Sequence, residues 1–131
     1  MRSESSFEID GDLIFVEATV VGPKGRAAVR LLLDTGAFLT TLIPEIAETI
    51  GYTAKDGIRP TRVRTATADE PGYLVKLLEI SVLGFSVPDV YANVADLGHD
   101  IDGVLGMNVL LDYNFEIRPA ERRILVEKIA P

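Results

Sequence analysis

The sequence predicts an all-β domain, a barrel or sandwich with one or two short helices. Three observations carry that prediction. Runs rich in β-branched and aromatic residues recur along the chain, such as LIFVEATVV at Leu13 to Val21 and AAVRLLL at Ala27 to Leu33. Glycine, proline and polar clusters separate them at short intervals, as at Gly22-Pro23-Lys24-Gly25 and Leu83-Gly84-Phe85-Ser86. Helix signals are confined to two short stretches, one after Pro44 and one after Gly106. Many short strands with turns between them point to a closed or two-layered β architecture.

Residues 1–10 read as a flexible N-terminal arm, and residues 11–131 as a single domain. The strands at 13–21 and 27–33 form a hairpin. The tail of the second, Leu31-Leu32-Leu33, is apolar on both faces and is expected to run into the core. Asp34-Thr35-Gly36-Ala37 interrupts it, and Phe38 to Ile43 resumes as strand. Pro44 suits the first turn of a helix, where its missing N–H is no loss. Glu45 and Glu48 sit near the positive end of that helix, and Gly51 ends it. Arg62 to Thr67 and Tyr73 to Val82 are expected to be strands around a polar hairpin tip, Ala68-Asp69-Glu70-Pro71-Gly72. Val87 to Val94 is a further strand, Gly103 to Gly106 a short apolar one, and Met107 to Tyr113 a short helix. Asn114 to Ile117 and Arg123 to Ile129 make a last hairpin around Arg118-Pro119-Ala120-Glu121.

Composition removes several function classes. The chain has 131 residues, of which 47% are hydrophobic and 25% charged, an ordinary globular balance. At this length folding buries roughly two thirds of the surface of the unfolded chain, enough for a real core. The formal charge of −7 repels phosphate backbones, so no nucleic-acid partner is expected. There is no cysteine, which excludes disulfides, thiolate catalysis and zinc-thiolate sites. The start, Met1-Arg2-Ser3-Glu4-Ser5-Ser6, is polar and lacks the apolar centre of a signal peptide. No run approaches the roughly 18 apolar residues of a membrane helix. A cytoplasmic protein with no membrane partner is the default expectation.

Asp34 is the sharpest chemical signal. An aspartate placed directly after three leucines is not an ordinary surface charge, and a buried carboxylate is costly unless hydrogen-bonded or neutralised. Thr35 adds a hydroxyl, and Gly36 allows close backbone approach. The plain alternative is a strand-end turn in which Asp34 accepts bonds from nearby amides. The other polar residues have plain readings. Asp10 and Asp12 flank Gly11 in a solvated turn, and His99 is a surface-loop residue with no motif for a Ser-His-Asp triad. Asp100 and Asp102 lack the regular spacing of a calcium loop, so no metal and no cofactor are expected. The Arg62/Arg64 and Arg122/Arg123 pairs are solvated strand faces.

Leu31-Leu32-Leu33-Asp34-Thr35-Gly36-Ala37 resembles the catalytic loop of the retropepsin-like (retroviral-type) aspartic proteases, in particular their stand-alone bacterial single-domain members. Val104-Leu105-Gly106 resembles the hydrophobic-hydrophobic-glycine element that supports this loop, and the helix from Met107 fits the segment next to that element. The resemblance covers about residues 11–128 and implies an acid-protease barrel, one lobe per chain. It implies Asp34 as the catalytic acid/base, with Thr35, Gly36 and Ala37 as active-site support. It also implies a substrate-covering flap at Ala66, Thr67, Ala68, Asp69, Glu70, Pro71, Gly72 and Tyr73. The tip carries a single glycine, Gly72, where retroviral flaps have more.

Such enzymes activate water between two carboxylates, and this chain has one Asp-Thr-Gly. The resemblance therefore implies an aspartic endopeptidase built as a homodimer across Asp34, acting on a peptide or protein. A non-catalytic dimerisation or peptide-binding domain of the same fold is the alternative, and an unrelated ligand-binding β-barrel a third. An intact Asp-Thr-Gly favours the enzyme, because a binding module has no need of a paired acid.

Overall fold

The structure, a computed structural model, describes residues 1–64, 69–98 and 100–129. Among the described residues eleven strands and two short α-helices succeed one another. They are β1 (Arg2–Ser6), β2 (Glu8–Asp10), β3 (Leu13–Gly22), β4 (Gly25–Leu33), β5 (Thr40–Leu42), α1 (Pro44–Ile50), β6 (Arg59–Arg64), β7 (Asp69–Val82), β8 (Phe85–Ala95), β9 (Gly103–Leu105), α2 (Met107–Leu110), β10 (Tyr113–Arg118) and β11 (Arg123–Lys128).

The barrel runs β3-β4-β9-β5-β8-β7 and closes where β7 pairs again with β3, from Ala18↔Val82 to Val21↔Glu79. Closure removes exposed edges from these strands. β2 and β6 hang on as flanking strands. Inside lie Val20, Leu31, Leu42, Leu77, Ile80 and Leu105, all fully buried. A second sheet, ordered β1-β11-β10, packs Ile124 and Val126 against the same core.

Local chemistry explains the boundaries. Pro44 opens α1, and Gly51 closes it at φ 107°, a left-handed conformation glycine adopts without strain. A side chain at Gly51 would also sit 2.9 Å from Lys24. The β7–β8 turn uses Leu83 and Gly84, both at positive φ. Two such residues give the twist a tight hairpin needs, and Leu83 gains burial in return.

Four expectations change. The stretch expected to be a flexible arm carries β1 and β2. β1 pairs antiparallel with β11, from Arg2↔Glu127 to Ser6↔Arg123. Ion pairs Arg123–Glu4 at 2.8 Å and Arg2–Glu127 at 3.3 Å cross this ladder. The partner strand lies at the other end of the sequence, so nothing local signals the pairing. The strand expected at 38–43 shortens to β5, because the Phe38 carbonyl is taken by the amide of Asn108 instead of a ladder. The helix from Met107 ends at Leu110, and Tyr113 already belongs to β10.

The fourth change concerns the hairpin tip. Asp69, Glu70, Pro71 and Gly72 are not a tip but the start of β7, paired with Arg64, Val63, Arg62 and Thr61. Tyr73 continues the strand opposite Pro60. Pro71 is tolerated because the ladder to β8 stops at Gly72↔Ala95, so at Pro71 only one side of the strand is paired. Ala66, Thr67 and Ala68, also expected to cover substrate, lie outside the described residues, as does His99.

Candidate active site

Asp34 comes directly after the last residue of β4, at the mouth of the barrel. β4 and β9 run parallel, with Leu31↔Gly103, Leu32↔Val104 and Leu33↔Leu105. The Asp34 amide extends this ladder by donating to the Leu105 carbonyl at 3.2 Å. The chain then turns. The Ala37 amide donates to the Asp34 carbonyl at 3.2 Å, and the Gly36 amide donates to Asp34 Oδ1 at 2.8 Å. A side chain on Gly36 would sit 3.2 Å from that same oxygen. The turn orients the carboxylate and leaves Oδ2 with no bond of its own in this turn.

The carboxylate is less buried than its three leading leucines suggest. Leu31 is fully buried, but Leu32, Leu33 and Asp34 are only partly so, and Thr35 and Gly36 are exposed. A cleft of about 610 Å³ lies between the terminal sheet and the barrel, lined by Phe7, Phe15, Arg30 and Phe85 among others. Asp34 is not part of its wall. A single chain thus leaves Asp34 partly exposed.

Behind the turn lies a network that sequence reading missed. The Met107 amide donates to the Ala37 carbonyl at 2.8 Å, and the Asn108 amide to the Phe38 carbonyl at 2.7 Å. Asn108 Oδ1 accepts from both the amide and the hydroxyl of Thr40, each at 2.9 Å. The Thr40 hydroxyl in turn accepts from the Gly106 amide at 3.1 Å, and Asn108 Nδ2 donates to the Tyr91 carbonyl at 2.7 Å. Thr40 is fully buried, so these bonds satisfy groups that water cannot reach. Gly106 must be glycine, since a Cβ there would lie 2.6 Å from the Leu39 carbonyl carbon and 2.9 Å from the Phe38 oxygen. Val104 and Leu105 contribute through their backbone, in the ladder to β4. Thr40 and Asn108 are 68 residues apart, and the only sequence signal was their nearness to the two motifs.

A family model for aspartyl proteases matches residues 16–109. The chain belongs to the aspartyl protease family. It is accordingly an aspartic-type endopeptidase, a hydrolase. No curated protein sequence matches it. A retropepsin-like aspartic protease from Rickettsia conorii, known from its crystal structure, shares its fold: TM-score 0.68 and 20% identity over 96% of this chain and 91% of that one. At that identity the likeness speaks for the fold of one retropepsin-like lobe. In this aspartyl protease the family match takes in the Asp34 turn, the β6–β7 hairpin and the Val104-Leu105-Gly106 element. No helix among the described residues is long and apolar enough to cross a membrane.

Proposed function

We propose that this protease works as a homodimer in which the Asp34 carboxylates of two copies hold the water that hydrolyses a peptide bond. The observation that carries this reading is the placement of the chain's single Asp-Thr-Gly. Its carboxylate is partly exposed at the end of β4, on a turn pinned from behind. A two-fold axis beside Asp34 would bring each carboxylate to its mate, as isologous interfaces do.

In such a pair one carboxylate is ionised and takes a proton from water as it attacks the amide carbon. The other is protonated and hydrogen-bonds the carbonyl oxygen. The proton passes to the amine as the C–N bond breaks, and no covalent enzyme intermediate forms. Two adjacent carboxylates share one proton and titrate as a pair, a property already established for aspartic proteases as a class. Activity should fall at low pH, where both are protonated, and at high pH, where both are ionised, giving a bell centred in the acid range.

Neighbouring residues take supporting roles. Thr35 bonds across the dimer axis, and Gly36 and Ala37 hold the turn. The β6–β7 hairpin, including Asp69, Glu70, Pro71, Gly72 and Tyr73, covers the peptide. The peptide lies extended and pairs with hairpin and loop backbone.

The test is cleavage of a mixed peptide library from pH 4 to 7 by the native chain and by Asp34→Asn, at several enzyme concentrations. Cleavage should depend on Asp34, with a loss of roughly a hundredfold to ten-thousandfold in the variant, and should rise faster than linearly with enzyme concentration. Peptidase activity retained by Asp34→Asn sinks the assignment. If neither protein cuts while both associate, the chain is a binding module of this fold.

A further inference from the structure

Among the described residues three polar side chains are buried: Thr40, Thr41 and Asn93. Thr40 belongs to the network behind Asp34. Asn93 lies on β8, 4% exposed, and its Oδ1 accepts a hydrogen bond from the hydroxyl of Thr61 on β6. β6 and β8 are not neighbours, for β7 runs between them. Thr61 stands opposite Gly72, and Asn93 opposite Leu74, so the bond crosses β7 on the diagonal.

Gly72 makes the crossing possible. A Cβ there would lie 2.9 Å from the Thr61 hydroxyl and 3.1 Å from Ala95 Cβ, and would collide with the Val94 carbonyl. The crossing also marks the last rung of attachment. From Pro71 towards Asp69, β7 pairs only with β6, and β6 pairs only with β7. Beyond Gly72 the described part of the hairpin is therefore paired with no barrel strand.

We propose that Thr61, Gly72 and Asn93 form a latch at the hairpin root which fixes its angle to the barrel, and that Thr61 and Asn93 are positioning residues for peptide hydrolysis. The second half rests on the reading that this hairpin covers the peptide. The latch itself does not. Removing the hydroxyl from this part-buried pair strands the buried Asn93 acceptor and frees the hairpin to swing.

The experiment compares native protein with Thr61→Val, which keeps the shape and loses the hydroxyl, and with Thr61→Ser, which keeps the hydroxyl. Amide hydrogen exchange is tracked at Arg62–Arg64 and at Asp69 and Glu70, with peptidase kinetics on the same samples. Thr61→Val should speed hairpin exchange roughly five- to tenfold while α1 and β10–β11 stay unchanged. It should raise KM more than it lowers kcat, and Thr61→Ser should restore both readouts. Asn93→Leu should repeat the Thr61→Val result, and the double variant should be no worse than either single one. Unchanged hairpin exchange in Thr61→Val overturns the latch. Faster exchange with unchanged KM and kcat overturns the positioning role. A native chain that cuts no peptide overturns the protease reading and the positioning role with it, while exchange still decides the latch.

Discussion

The Asp34 turn and the β6–β7 hairpin are held by different means. The turn is tied from behind by backbone and side-chain bonds that converge from β9, α2 and β5, around a fully buried Thr40. Among the described residues the hairpin has its own ladder, a side-chain bond at its root, and an ion pair between Arg62 and Asp69 at 3.5 Å, two well-exposed side chains. On the proposed reading, the difference teaches how one small domain can supply both a rigid platform and a cover. A group that must meet its mate within hydrogen-bond reach needs redundant fixing, because an error of about 1 Å is costly in rate. An element that must let a peptide in and out is better held at one point.

Breaking the rigid side should have the largest effect. In Gly106→Ala the new methyl meets the backbone of Phe38 and Leu39, which cannot move without shifting the Asp34 turn. Chemical denaturation should show a loss of about 3 kcal/mol, the upper end of overpacking costs. A loss under about 0.5 kcal/mol would mean the corner is softer than its contacts imply. Asn108→Leu comes next. It leaves the buried amide and hydroxyl of Thr40 without their acceptor, which should cost about 1–3 kcal/mol. It should also lower kcat in the folded fraction, measured at saturating peptide. Full kcat in that variant would show that the turn holds its shape without the network.

The smallest effect belongs to the hairpin surface. Arg62→Ala removes an exposed ion pair, and melting should register no more than about 0.5 kcal/mol, since exposed pairs are weak. A larger loss would place the hairpin among the rigid elements and weaken the contrast.

Much of the molecule was legible in its residues. The β3–β4 hairpin, α1 between Pro44 and Gly51, and the turn at Asp34 each announce themselves within a few positions, through alternation, proline and glycine. The hairpin tip was misplaced because Asp69-Glu70-Pro71-Gly72 has the composition of a turn. It becomes strand only because Arg62 and Thr61 lie opposite Pro71 and Gly72, with β8 ending just there. By composition Gly72 reads as a turn residue, but its place is a close crossing of side chains.

By itself the sequence determined the β class, the sites of the turns and the presence of one acidic motif after a buried strand. These depend on side-chain periodicity and on backbone freedom, which act over a few residues. Only the tertiary structure decided that Arg2–Ser6 is a strand, that Asn108 clasps Thr40, and that Thr61 reaches Asn93 across Gly72. Those partners stand 125, 68 and 32 residues apart in their pairings. No local propensity encodes such a meeting, because it exists only once barrel closure has fixed the register.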